Sequence, residues 1–98
     1  MLQSFDVKQR CELCNRSQRL SKHHLIPRAL HTKKRFINRF GKEEMRNRGL
    51  QLCKLCHDGL HDIFTEKELG WTYNTRELLL ADERVRKHIR WARKQKAA

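Results

Sequence analysis

Ninety-eight residues suit one domain with a modest core, the size at which a metal or disulfides commonly supply part of the stability. The chain is 38% hydrophobic and 35% charged, which excludes a disordered polymer, and no apolar run approaches the ~20 residues of a membrane-spanning helix. Its 23 lysines and arginines against 11 acidic residues give a formal charge of +12, which calls for a polyanionic partner, with nucleic acid ahead of an anionic membrane.

At the N-terminus "MLQSFDVKQR" lacks the apolar segment of a signal peptide, so the chain is expected to be intracellular and cytoplasmic. In that reducing compartment the four cysteines are expected to bind metal. Cys11-x-x-Cys14 and Cys53-x-x-Cys56 are together explained by one tetrahedral four-cysteine site for a structural Zn2+. "CELCNRSQ" reads as a zinc knuckle, and "HHLIPR" as a short strand that ends where Pro27 removes a donor. Between Arg28 and Arg48 eight lysines and arginines face only Glu43 and Glu44, with Phe36, Ile37 and Phe40 as anchors for a loop or short helix. This segment is expected to meet phosphate through Lys33, Lys34, Arg35 and Arg39.

"GLQLC" predicts a second strand with Leu50 and Leu52 on one face. "HDGLHDIF" then has helical spacing, with Leu60, Ile63 and Phe64 on the side that packs against the strands. Thr65 with Glu68 forms a capping box for a short helix stopped at Gly70, and Asn74 with Glu77 is expected to start a longer one. Leu78, Ala81, Val85, Ile89 and Ala92 give that helix an apolar stripe, and the cations on its remainder, Arg90 and Arg93 among them, are candidates for polyanion contact. The last residues, "KQKAA", are expected to fray.

Six histidines fall at 23, 24, 31, 57, 61 and 88. His57 and His61 are four apart and share a helical face, so one ion can join them. His57 follows Cys56 directly, so the zinc would also aim both imidazoles. Adjacent residues of a strand point to opposite sides, which suits His23 and His24 to two different jobs. One would complete a three-histidine metal site with open positions; the other would stay off the metal as a general base. A C2H2 finger wants ~12 residues between Cys and His, and Cys14 to His23 leaves eight. Arg28, five residues past His23, is a candidate phosphate contact, and an arginine beside a proline reads equally as a solvated loop residue.

"HHLIPR", followed about 25 residues later by "LCKLCHDGLH", resembles the HNH endonucleases of the ββα-metal or His-Me finger superfamily, in the subgroup with two C-x-x-C knuckles. The resemblance covers about positions 11 to 64. It implies an α+β fold with a small ββα-metal, treble-clef-like core, one nuclease domain over 1–98 with a helical extension at about 65–96, and a terminal basic helix. It also implies that His23 is a ligand of the catalytic divalent ion with His57 and His61, and that His24 is the base. The three-histidine set is similar to that of the colicin-type nucleases, and imidazole ligands widen the choice among Mg2+, Mn2+, Ni2+ and Zn2+. Asn47 is the one candidate for the family's middle asparagine; His31 and His88 look non-catalytic. The expected substrate is double-stranded DNA, bound mainly through phosphate with little sequence preference, within a restriction, phage or mobile-element system. The alternative is a non-catalytic zinc module that binds nucleic acid.

Overall fold

The computed structural model describes residues 10–96. Positions 1–9, where no signal peptide is expected, lie outside the described residues, as do the last two residues of "KQKAA". In chain order come β1 (Leu20–His24), a 3-10 turn (Arg28–Leu30), α1 (Lys34–Phe40), α2 (Lys42–Asn47), β2 (Gly49–Cys53), α3 (Lys54–Ile63), α4 (Glu66–Trp71), α5 (Arg76–Leu80) and α6 (Glu83–Arg93). Among the described residues no helix is long and apolar enough to cross a membrane.

The two strands form an antiparallel pair running from Leu20 opposite Cys53 to His24 opposite Gly49. β2 follows the sequence pattern, with Leu50 and Leu52 buried and Gln51 exposed between them. β1 does not: it begins before the histidine pair and ends on it, so Leu25 to Arg28 lie beyond the strand expected over "HHLIPR". The register carries one pair further, Leu25 N–H donating to the carbonyl of Arg48 at 3.1 Å, and extended Pro27, which has no N–H to donate, then leads into the 3-10 turn. α3 springs directly from β2 with Cys53 at its N-cap and Cys56 in its first turn, so the second C-x-x-C motif is a strand-to-helix junction.

Two apolar clusters hold these elements. The larger gathers Leu50 and Leu52 of the sheet, Leu60 of α3, Leu79 of α5, Val85, Ile89 and Ala92 of α6, and all four cysteines. The smaller is built from Ile26, Leu30, Phe36 and Met45, with Ile37, Phe40 and Trp71 packed against it. Gly41, at φ +85°, separates α1 from α2 in a conformation that glycine adopts without penalty.

The capping box of Thr65 and Glu68 is present at the start of α4. The single helix expected from Asn74 onward is instead two. Thr75 caps α5 and Asp82 caps α6, while Asn74 is buried and its side-chain amide donates to the Gly70 carbonyl at 2.9 Å. Because the chain is reset between the helices, Leu78 and Ala81 fall on the exposed side and Leu79 enters the core.

α6 crosses α3 at Gly59, where an added Cβ would lie 2.4 Å from Cε1 of His88. Replacing Gly59 by Ala should therefore cost about 1–3 kcal/mol. Thermal denaturation should show the loss, and adding His88→Ala to the same chain should recover part of it by removing the obstructing ring.

Candidate functional site

The first site is the cysteine cluster. Pairing of Leu20 with Cys53 brings the knuckle of Cys11 and Cys14 against the β2–α3 junction, and one sulfur from each of the four cysteines lies within 4.8 Å of the others. The knuckle turns through Asn15, at φ +64°, and the Leu13 and Cys14 N–H groups point at Cys11 Sγ at 3.4 and 3.5 Å. Glu12 ties it to β2, its N–H donating to the Gln51 carbonyl and its carboxylate accepting from the Gln51 N–H. Arg16 Nη1 donates to Cys53 Sγ at 3.9 Å.

The four thiols are buried together, and the acidities of Cys11 and Cys56 split. A hydrogen bond from Cys56 pulls the Cys11 thiol far below its usual range, whereas that same bond, burial and the neighbouring sulfurs push Cys56 up. Four sulfurs gathered in this way form a donor set that can hold a structural metal such as zinc.

The second cluster joins the sheet to α3. His23, on the β1 face turned toward the helix, meets His57 and His61 with ring centroids 5.3 and 5.5 Å away, and the latter two lie 5.2 Å apart. One nitrogen of each ring lies within 4.8 Å of the others. His23 is 1% exposed, and neither of its ring nitrogens has a hydrogen-bond partner among the described residues. Burial, then the neighbouring imidazoles His57, His61 and His24, lower its pKa to about 3, so the ring is neutral at physiological pH. A buried, neutral, unpartnered imidazole facing two others fits a divalent cation's ligand set.

His57 is half-buried, and burial followed by the charge of His61 lowers its pKa; His61 is exposed. Ser21 places its hydroxyl 3.1 Å from His57 Nδ1, leaving Nε2 for a metal. Sequence reasoning missed Ser21, although it stands two residues before His23 on the same strand face.

His24 points the other way, as strand alternation requires. Its half-buried ring lies 5.8 Å from that of His31, beside a pocket of about 340 Å³ lined by His24, Arg28, His31, Thr32, Lys42 and Arg46. Among the described residues no carboxylate lines it. His31 Nε2 donates to the Ile26 carbonyl at 2.7 Å, which fixes its proton on that nitrogen. Burial lowers the His24 pKa, helped by the charges of Lys22, His31 and Arg28. Arg28 is thus beside His24, and the structure adds Lys42 and Arg46, two members of the basic segment that spacing did not single out. Asn47 is exposed at the end of α2.

The other basic residues fall into two separate groups. Lys33, Lys34, Arg35 and Arg39 are exposed on or beside α1, and the guanidinium carbons of Arg35 and Arg39 lie 4.5 and 4.2 Å from the Trp71 ring centroid. Arg90 and Arg93 are on α6, which meets α3 at Gly59, about 200° around the helix from His57. They do not join the histidine cluster. Arg93 Nε donates to the Cys14 carbonyl at 3.3 Å and Arg90 pairs with Glu83 at 3.4 Å, so both are partly engaged in holding the fold.

Over 86 residues the chain is 34% identical to the uncharacterized protein YisB of Bacillus subtilis (strain 168), an alignment that covers 87% of this chain and 74% of that protein. No family model matches the chain, and no solved structure matches it.

A structural zinc contributes about 10–16 kcal/mol, comparable to or larger than the ~5–15 kcal/mol by which a domain is stable. Cys53→Ala should therefore lose both metal and fold. Metal analysis of the purified protein and far-ultraviolet circular dichroism check this, and a variant that stays helical without metal would contradict it.

Proposed function

The chain belongs to the same family as YisB of Bacillus subtilis, and we propose that it is a metal-dependent endonuclease of the HNH type that hydrolyses phosphodiester bonds in DNA. The observation that carries this reading is His23, buried with both ring nitrogens unpartnered against His57 and His61, next in sequence to a His24 that opens onto a cationic pocket. In this reading His23, His57 and His61 hold a catalytic divalent ion, Mg2+, Mn2+, Ni2+ or Zn2+, and the cysteines hold a structural Zn2+. When bound, the divalent ion supplies Lewis-acid stabilisation of charge on the phosphate and the leaving 3′ oxygen.

The chain's own residues do the rest. A phosphodiester lying across the end of β1 meets the faces of both histidines. An unprotonated ring nitrogen of His24 accepts a proton from water, the water oxygen forms its bond to phosphorus, and the bond from phosphorus to the 3′ oxygen breaks, that oxygen keeping the electron pair and taking a proton from solvent water. Arg28, with Lys42 and Arg46 in the same pocket, neutralises non-bridging oxygens. Lys33, Lys34, Arg35 and Arg39 extend the phosphate contacts along α1; Arg90 and Arg93 supply a second, weaker set. Most of these contacts are to backbone, so sequence preference is slight.

Plasmid nicking tests the proposal directly. The wild-type protein should nick DNA when supplied with one of Mg2+, Mn2+, Ni2+ or Zn2+, and His24→Ala should lower the rate about 10²–10⁴-fold. Absence of nicking under all four ions, with one metal bound per chain, would point instead to a non-catalytic zinc module.

The lowered pKa of His24 sets the sign of the pH dependence. The base is protonated, and the enzyme idle, only at acid pH. Nicking rates should rise through a limb lying below pH 6.5 and be level from there to neutrality; a limb centred above pH 7 would exclude His24 as the base.

A further inference from the structure

Three arginines converge on the turn that carries Cys11 and Cys14. Arg76 of α5 donates from Nε to the Glu12 carbonyl at 2.8 Å, Arg93 of α6 donates from Nε to the Cys14 carbonyl at 3.3 Å, and Arg10 donates from Nη1 to the Asn15 carbonyl at 3.3 Å. All three line a hollow of about 430 Å³. Arg76 and Arg93 also line a neighbouring hollow of about 310 Å³ with Arg86 and Arg90, so the two hollows form one groove bounded by the knuckle, α5 and α6. Arg10 and Arg76 have no part in the proposed hydrolysis, and Arg93 only a weak one.

Anchoring through Nε leaves both Nη groups of Arg76 and of Arg93 without a partner among the described residues, so each guanidinium offers an end-on pair of donors already held in place. Among the described residues Arg10, Arg76 and Arg93 take part in no ion pair, whereas Arg86 and Arg90 share Glu83. Three unpaired guanidiniums held at one turn repel one another, and an incoming anion relieves that repulsion. Their planar forks fit the paired oxygens of a carboxylate or a phosphate.

Two features favour the carboxylates of a protein. The groove borders α6, which meets α3 at Gly59, about 200° around that helix from His57. A duplex is stiff over ~150 base pairs, so one laid against the histidines does not bend round to this face. The carboxylate of Glu12, which accepts from the Gln51 N–H at 2.8 Å, also stands in the lining. It interrupts the cationic track that a phosphate backbone follows, whereas a peptide can set its carboxylates on the forks and turn a different side chain to Glu12.

We infer that this groove docks an acidic segment of a partner protein, its carboxylates seated on the guanidiniums of Arg76 and Arg93 with Arg10 at the outer end. The inference goes beyond the nuclease reading and does not depend on it. For an enzyme that contacts mainly phosphate, such a partner supplies the choice of target that base contacts do not.

A labelled peptide of alternating aspartate and glycine is the probe, titrated with the full chain and followed by fluorescence anisotropy at low salt. Arg76→Lys with Arg93→Lys keeps the charge and removes the forks, and should weaken binding at least about 5-fold. Lys67→Gln, which removes a charge outright at an exposed position of α4, should change the affinity by less than about 2-fold. The wild-type chain gives a second reading that no substitution can disturb. In its NMR spectrum the Nε–H signals of Arg76 and Arg93 should move when the peptide is added, and those of Arg35 and Arg39 should stay in place.

Undiminished binding by a folded arginine-to-lysine variant, or shifts no larger at Arg76 and Arg93 than at Arg35 and Arg39, would overturn the assignment. If duplex DNA moves the Arg76 and Arg93 signals and the peptide does not, the groove takes phosphate and the choice of an acidic protein segment is wrong. Nicking plays no part in these measurements, so the nuclease reading can fail while the docking groove stands, and the reverse.

Discussion

The closure of the Cys11–Cys14 knuckle onto the junction of β2 and α3 is the constraint on which the rest of the molecule depends. A two-stranded sheet is marginal by itself, and here its far end is held by four buried sulfurs drawn from both ends of the paired segment. The same closure sets the first turn of α3. Since His57 follows Cys56 and His61 lies one turn on, fixing the cysteines fixes where two imidazoles stand relative to β1. The chain thereby obtains a positioned cluster of polar side chains from a core too small to impose one by packing alone.

The sheet then divides the histidine pair. With β1 in register against β2, His23 is committed to the covered face, where burial keeps it neutral, and His24 to the other, where it remains half open beside Arg28, Lys42 and Arg46. Neither environment could be exchanged for the other by a change of rotamer. A slip of one residue in the ladder would reverse the two, and the bonds from Glu12 to Gln51 and from Leu25 to Arg48 oppose such a slip at both ends of the pair.

Much of this arrangement was legible in the sequence because it rests on short-range periodicity. The paired C-x-x-C motifs, the four-residue spacing of His57 and His61, the Leu50–Leu52 alternation and the Thr65–Glu68 box each report a local geometry that survives in the folded chain. What was not legible depended on competition between local signals. The apolar stripe from Leu78 to Ala92 is continuous at helical spacing, yet Asp82 is a strong enough N-cap to restart the helix and shift which leucine is buried. Asn74 has the character of a cap, yet its amide bonds Gly70 and leaves the capping to Thr75. The strand carrying the histidine pair starts earlier than its local pattern indicates because its pairing with β2 begins at Leu20 opposite Cys53, a partner far along the chain. The placement of Arg35 and Arg39 on Trp71 is a contact between residues far apart in the chain, which no local pattern encodes.

The separation of the core into two apolar clusters has a mechanical consequence. All four cysteines, and the helix that bears His57 and His61, ride on the larger cluster; the cationic stretch from Arg28 through Arg46 rides on the smaller one around Ile26, Phe36 and Met45. Proteins open locally along such divisions, at free energies well below that of global unfolding. The cationic segment can therefore loosen and reseat as a unit while the imidazole cluster and the sulfur clasp keep their geometry.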